Sequence, residues 1–384
     1  MKAGVYLHIP FCRSKCDYCG FYSVPVDGME PGARDGLLAR YAEKLIVELR
    51  ARAGEIADTG ADTLYLGGGT PSLMGPALAG RLIDAVRGSV DLDKDAEITL
   101  ECNPEDFTPE TLAGYRDAGI NRVVLGVQTL RAEEWRFIGR RARLCGEADL
   151  RAFMGVPGIA HCVDLIAGIP GGNPEDARGD AHALLDVRPE HVSAYMLSLE
   201  KGTPLAARFR STFESEKSSR DSFEALMDGL VGGGYTHYEI SNFALPGFQS
   251  RHNLKYWRFL PYLGLGASAH SFTGGMRRYN VQSMDEYVSE NGVRLSLDAR
   301  GANAAAAEFI MTGLRLIEGI SVSYFEEMLG FPLPDGVARR FEELKDEGLV
   351  ERTHDDAGNG IIRLTREGLF RADDVIFRAS EPLL

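Results

Sequence analysis

Three cysteines near the start of the chain have the types and spacing to do chemistry. Cys12, Cys16 and Cys19 form a C-x3-C-x2-C array within residues 6–21, YLHIPFCRSKCDYCGF. Thiolates this close in one short loop can converge on a soft metal centre. Three are too few for a four-thiolate tetrahedral site, so a fourth ligand comes from outside or a position stays open. A zinc knot completed by His8 or a distant cysteine is one solution. Zinc sites usually pair C-x2-C knuckles, however, and Cys102, Cys145 and Cys162 stand alone. The better fit is a [4Fe-4S] cluster, with three irons on the triad and the fourth open to an exchangeable ligand.

A second feature is the run Gly67-Gly68-Gly69-Thr70-Pro71. Its bare backbone lets N–H and C=O groups approach a polar ligand closely, although alone such a run also suits a tight turn. A third is residues 238–257, YEISNFALPGFQSRHNLKYW, which carry H-N-x-x-Y-W as His252, Asn253, Leu254, Lys255, Tyr256 and Trp257. An imidazole can ligate haem iron, and flanking aromatics can cover a porphyrin face. On physics alone the plainer alternative is a hydrogen-bonded His252 with Tyr256 and Trp257 in the core. His270, in GASAHSF, is a second candidate ligand or pocket residue.

The elements that must position these residues alternate. Residues 5–9 read as a short apolar strand ending in the cysteine loop, and a Gly/Pro/Asp-rich insert follows at 24–36. The periodicity predicts a helix over 41–56, with Leu45, Leu49 and Ile56 on one stripe. DTLYLGGGTPS and EITLECNPE each read as strand and loop, with the helix PALAGRLIDAVRGSV between them. Residues 108–119 form a helix with Thr108 as N-cap and Gly119 at the end. NRVVLGVQT is a strand, AEEWRFIGRRA a helix, residues 160–166 a strand, DARGDAHALLDV a helix and HVSAYMLSL a strand. Such alternation predicts βαβ units around a parallel sheet, with the polar and glycine-rich motifs at strand C-termini, where these folds place active sites. Beyond residue 247 the rhythm breaks. The helices EFIMTGLRLIEGI, VSYFEEMLG and VARRFEELKDEGLV, then a hairpin across AGNG and a last helix, predict a small winged-helix-like module.

Composition narrows the function. The chain has 384 residues, 44% of them hydrophobic and 26% charged, which suits a globular protein with a large core. Its 56 acidic against 42 basic side chains give a formal charge of -14, which argues against phosphate-backbone binding. The C-terminal module therefore reads as a packing or lid domain, and no nucleic-acid partner is expected. The first residues lack a signal-peptide pattern, and no apolar run is long enough to span a membrane. The expected location is the cytoplasm, and any membrane association would be transient. Six cysteines in such a chain suggest metal or redox chemistry rather than a disulfide framework.

The cysteine loop, with Tyr18 just before the last cysteine, resembles the signature of radical S-adenosylmethionine (SAM) proteins. The resemblance implies that SAM chelates the open iron and that the reduced cluster cleaves it to a 5′-deoxyadenosyl radical. It extends over essentially the whole chain to the porphyrin-related branch, the oxygen-independent coproporphyrinogen oxidases and the HemW-like haem chaperones. By motif position, Tyr6, Tyr18, Gly68, Gly69 and Thr70 resemble contacts to the methionine part of SAM. Glu101, Gln128, Arg140 and Asp164 resemble contacts to the rest of it. One departure stands out: the branch commonly reads G-R-x-H after GVQT, whereas this chain has Gly139-Arg140-Arg141-Ala142.

The implied fold is α/β. A partial (β/α)6-type parallel barrel of the radical SAM kind occupies residues 1–245. A haem-associated region at 246–300 closes the barrel, and a small C-terminal α+β, winged-helix-like domain occupies 301–384. The implied function is that of a haem chaperone, which carries the cluster and SAM, takes up haem as cargo and delivers it to respiratory haem apoproteins without oxidase turnover. His252, Tyr256 and Trp257 are then the haem-associated residues. The alternatives are an oxygen-independent coproporphyrinogen III oxidase and a haem-acting radical SAM methyltransferase. The oxidase carries a further cysteine where this chain has Phe21, has a long extension before the triad, and lacks H-N-x-x-Y-W. All three features favour the chaperone.

Overall fold

The computed structural model describes residues 1–289, 295–298 and 301–384; residues 290–294 and 299–300 of the expected 246–300 region lie outside the described residues. The chain divides into two compact units. The first comprises Met1–Thr236, Phe243–His252 and Pro261–Leu297, and the second His237–Asn242, Asn253–Leu260 and Asp298–Leu384.

Strands and helices alternate through the first unit. They are β1 (Ala3–Ile9), α1 (Pro31–Arg52), β2 (Ala61–Gly68), α2 (Gly75–Ser89), β3 (Leu92–Cys102) and α3 (Pro109–Asp117). Then come β4 (Arg122–Gln128), α4 (Ala132–Phe137), α5 (Glu147–Met154), β5 (Ala160–Ala167), α6 (Pro174–Val187), β6 (His191–Met196), α7 (Pro204–Arg208) and α8 (Phe213–Gly232). Helix α9 (Arg251–Trp257) begins in this unit and ends in the other. β7 (Tyr262–Leu265), β8 (His270–Thr273), β9 (Met276–Asn280) and α10 (Met284–Val288) complete the series.

β1 to β6 lie side by side in chain order, each neighbouring pair parallel. β7 joins the other edge of β1, also parallel, and β8 and β9 follow antiparallel. This is the partial (β/α)6-type arrangement that the resemblance implies. Side chains alternate across each strand, and the two faces differ in chemistry. Val5, Leu7, Leu64, Leu66, Ile98, Leu100, Val123 and Leu125 are fully or nearly fully buried on one face. The other carries Tyr6, Tyr65, Thr99 and Arg122 in one register row. The polar face is the one that bears the candidate site residues Tyr6, Glu101 and Asp164.

Two local differences from the periodicity have simple causes. Helix α1 begins at Pro31 rather than at residue 41. Proline suits the first helical turn, where its missing N–H is not needed, and burial of Leu37, Leu38 and Tyr41 outweighs the glycines between. The helix read over AEEWRFIGRRA stops at Phe137. Gly139, at φ +61°, turns the chain there and releases residues 140–142 to meet the cysteine loop.

The second unit has helix α11 (Ala302–Gly313), strand β10 (Ile320–Ser321), helices α12 (Val322–Leu329) and α13 (Asp335–Asp346), the hairpin β11 (Val350–His354) and β12 (Gly360–Leu364), and two closing helices. The sheet order is β10-β12-β11, all antiparallel. This succession of helix, strand, two helices and hairpin is winged-helix-like. Phe309 and Phe325 meet edge to face at 5.3 Å in its core.

A buried carboxylate ties α1 to the β7–β9 edge. Glu48 is fully buried and accepts from Arg52 Nη1 (2.7 Å), Tyr287 Oη (2.7 Å), Asn280 Nδ2 (2.8 Å) and the Gly266 N–H (2.9 Å). Arg52 donates onward to Gly264 O and Ser271 Oγ, both at 2.9 Å. Arg52 keeps a second carboxylate partner, Glu55, at 2.8 Å, but removing Glu48 strands three further buried donors, Tyr287, Asn280 and the Gly266 N–H, and weakens a buried charge pair. Glu48→Ala should therefore lower unfolding stability by about 3–5 kcal/mol in urea denaturation. A loss within experimental error would contradict this account.

Candidate cofactor and metal site

The cysteine loop leaves the C-terminal end of β1 and is tied down from several sides. Cys12, Cys16 and Cys19 are free and partly exposed, whereas Cys102, Cys145 and Cys162 are buried. Thr70 donates its hydroxyl to Cys12 Sγ at 3.4 Å, and the Arg141 N–H donates to Cys16 Sγ at 3.3 Å. Arg13 grips Asp106 through Nε (2.9 Å) and Nη2 (2.6 Å). Asp17 pairs with Arg141 at 3.3 Å and with Arg208, and its N–H donates to Gly139 O at 3.2 Å. A Cβ at Gly139 would collide with the Asp17 carboxylate, so only glycine allows this approach.

Arg140 joins the loop to the strand ends. Its guanidinium donates to Tyr18 Oη (2.9 Å), to Asn103 Oδ1 (2.9 Å) and to the Gly126 carbonyl at the end of β4. Asn103 Nδ2 donates to Thr70 Oγ1 at 3.1 Å, and Thr70 in turn reaches Cys12. Gln128 ends β4 at φ +68°, just past a break in register with β5. Its Nε2 lies with Asn103 Oδ1 and Arg140 Nη2 around the space a Gly126 Cβ would fill.

The glycine loop lies against β1. The Gly69 N–H donates to Ile9 O (2.8 Å) and the Thr70 N–H to Phe11 O (2.7 Å). Gly68, at φ +110°, has no room for a Cβ beside the His8 ring. Glu101 holds this loop from β3, accepting from the Gly68 N–H at 3.0 Å and from Tyr65 Oη at 2.9 Å. Both Glu101 oxygens are thus engaged within the protein. Burial pushes its carboxyl up to about 7, with nearby Asp164 raising it further and the Tyr65 and Gly68 hydrogen bonds opposing. Burial likewise pushes Asp164 on β5 up to about 6.

The structure separates the remaining predicted residues. His252 is 1% exposed and bonds Thr63 Oγ1 through Nδ1 at 2.8 Å. Its ring lies 5.2 Å from Tyr65 and 6.3 Å from Tyr6. Glu97 accepts from the N–H groups of Arg251 (3.1 Å) and His252 (3.0 Å), which fixes the start of α9. Tyr6 Oη bonds His8 Nδ1 at 3.0 Å. Tyr256 and Trp257 are half-buried at the other end of α9, rings 6.3 Å apart. His270 is exposed on β8, stacked on Tyr279.

Comparison with known proteins fits this geometry. Residues 6–184 match the Radical SAM superfamily and residues 301–371 the HemN C-terminal domain. The chain is 36% identical to "Heme chaperone HemW" of Escherichia coli, covering 82% of each chain. To the Lactococcus lactis protein of that name it is 34% identical, over 84% of this chain and 83% of the relative. To that of Mycobacterium tuberculosis it is 33% identical, over 97% and 93%. The chain belongs to the HemW family. Its fold is shared with E. coli coproporphyrinogen III oxidase (HemN), with TM-score 0.80 and 22% identity over 99% of this chain and 90% of that one.

Radical SAM membership implies a [4Fe-4S] cluster and SAM, and the residues present fit both. Among the described residues no three His, Cys, Asp or Glu side chains converge on a single ion. A cubane instead needs its sulfurs on separate irons. Zinc completed by His8 fits poorly, since Nδ1 is bonded to Tyr6 and Nε2 lies 3.2 Å from Tyr22 O. For a polar cofactor, Asp164 Oδ1 is buried and has no partner among the described residues. In this HemW-family chain, sequence reasoning missed Asp17, Asp106, Asn103 and Tyr65. Asn103 and Asp106 follow the end of β3 at Cys102, in and just past the LECNPE motif, a place that could have drawn attention to them. Tyr65 and Asp17 carry no local signal.

Glu101 makes a testable pH contribution. Its folded pKa, about 7, lies above the ordinary value of 4.5. The folded state therefore holds the proton through this window while the unfolded state releases it, and stability falls as pH rises from 4.5 to 7. Relative to Glu101→Gln, wild type should lose on the order of 2 kcal/mol across that range. Parallel stability curves for the two proteins would contradict the assignment.

Proposed function

We propose that this chain is a cytoplasmic haem chaperone that carries a [4Fe-4S] cluster and SAM, binds haem and delivers it to respiratory haem apoproteins. Cys12, Cys16 and Cys19 hold three irons. Gly68, Gly69 and Thr70, with Tyr6, Tyr18, Glu101, Gln128, Arg140 and Asp164, form the SAM surroundings. When bound, the pair supplies one-electron reductive chemistry at the open iron. The chain's own part is positional. Glu101 sets the glycine loop, Arg140 sets Tyr18 within the cysteine loop, and Asp164 offers a buried acceptor.

The observation that carries the haem reading is His252, Tyr256 and Trp257 on one short helix, α9, in a chain whose relatives at this identity are named heme chaperones. Because His252 is buried and bonded to Thr63, its part is read as fixing the start of α9, with Tyr256 and Trp257 offering aromatic surface further along. Phe21 supports the chaperone over the oxidase. It is 71% exposed and stands where the oxidase has its further cysteine, so no fourth thiol is offered beside the triad.

The deciding experiment is anaerobic reconstitution with iron and sulfide, then haem titration in parallel with incubation with coproporphyrinogen III and SAM. Haem should bind, and coproporphyrinogen should remain unconverted. Efficient formation of protoporphyrinogen IX would overturn the chaperone reading. Cys16→Ser should lose the cluster's visible absorbance while its far-ultraviolet circular dichroism stays unchanged. An intact cluster in that variant would show the triad assignment to be wrong.

A further inference from the structure

The second unit holds polar side chains that neither the fold nor the cofactor site uses. The Y-E-I-S-N stretch pairs with residues 315–317. The Ile240 N–H donates to Arg315 O (3.0 Å), the Ile317 N–H donates to Tyr238 O (3.1 Å), and Glu239 bridges Leu316. That pairing brings Glu239 next to Arg315. The Arg315 guanidinium lies over the Trp257 ring, 4.6 Å from its centroid. Four buried polar atoms on these three segments have no hydrogen-bond partner among the described residues: Trp257 Nε1, Arg315 Nε, Glu239 Oε2 and Asn242 Oδ1. Glu239 is 1% and Asn242 2% exposed. Folded proteins leave few such atoms unpaired, because each costs roughly 1–3 kcal/mol.

We infer that Arg315 and Trp257 form a carboxylate-binding site whose ligand is a propionate of the haem cargo. This rests on the haem-binding reading above. Both unpaired atoms of the stack, Arg315 Nε and Trp257 Nε1, are N–H donors, and a carboxylate accepts two such bonds, the arginine one charge-assisted. The indole supplies a flat apolar plane that suits the edge of a macrocycle. Glu239 is the group that opposes an anion here. Burial pushes its carboxyl up to about 7 while Arg315 pulls it down, so near neutral pH it can hold a proton and donate rather than repel. The Y-E-I-S-N stretch and Trp257 thereby serve one purpose in this unit, the first backing the arginine that the second stacks against.

The test uses the full reconstituted chain and two probes, haemin and haemin dimethyl ester, in which both propionates are blocked. Wild type should bind haemin about tenfold more tightly than the ester, the equivalent of one charge-assisted bidentate contact. Arg315→Ala should abolish that preference while keeping the ester affinity within about twofold of wild type, and Arg315→Lys should restore part of it. Trp257→Phe, which keeps an aromatic plane and removes the N–H, should reduce the preference even if Arg315→Ala fails to fold. Equal binding of haemin and ester by wild type, or an undiminished preference in Arg315→Ala, would overturn the site. Failure of wild type to bind either probe would overturn the haem reading itself.

Discussion

The arrangement depends on one guanidinium. Arg140 sits between a loop whose only regular structure is the two-residue strand Phe11–Cys12 paired with Val24–Pro25 and the ends of β3 and β4, and it satisfies an acceptor on each side: Tyr18, Asn103 and the Gly126 carbonyl. From Asn103 the chain of hydrogen bonds continues through Thr70 to Cys12 Sγ. A planar group with five fixed donors holds these acceptors from two nitrogens in one plane, whereas a lysine offers three rotatable donors on a single nitrogen. The loop that carries the triad is therefore anchored to the main sheet through side chains as well as by its own short backbone pairing.

The same face of the sheet bears costs that a wholly apolar interior would avoid. Glu101 and Asp164 are held where burial disfavours their charged forms. Glu101 is compensated by two donors, one of them the Gly68 amide. Asp164 keeps an oxygen without a protein partner among the described residues. Such polar interiors are expensive unless something completes them, and completion by a polar cofactor is consistent with radical SAM membership. Glu48 contrasts with both. Four protein donors saturate it, and it belongs to the scaffold.

Much of the fold was legible because it rests on local patterns. Alternation of apolar strands with helices predicted the parallel sheet, and the Thr108 cap is present, accepting from the Thr111 N–H at 3.2 Å. The start of α1 was missed because glycine and aspartate hide the stripe that Leu37, Leu38 and Tyr41 begin. At the site, the triad and the glycine loop could be read from spacing. Their supports could not. The partners Arg140 and Tyr18, Asp106 and Arg13, and Tyr65 and Glu101 come from separate elements, and nothing near any of them in sequence marks the pairing. The burial of His252 was also beyond sequence, since an imidazole fits an exposed ligand site and a sealed hydrogen-bonded one equally well.

The hydrogen bond that reaches Cys16 comes from the main chain at Arg141, not from a side chain. Substitution at that position leaves the donor in place, proline excepted, since every other residue carries the same N–H. Hydrogen bonds to cysteine sulfur are among the levers that set a cluster's reduction potential. Under the proposed cluster assignment, this lever is indifferent to the side chain at residue 141 and sensitive to the residue two positions earlier. The steric control lies at Gly139, whose missing Cβ lets the segment approach Asp17 at all. The electronic setting of this sulfur then rests on a glycine that never touches it.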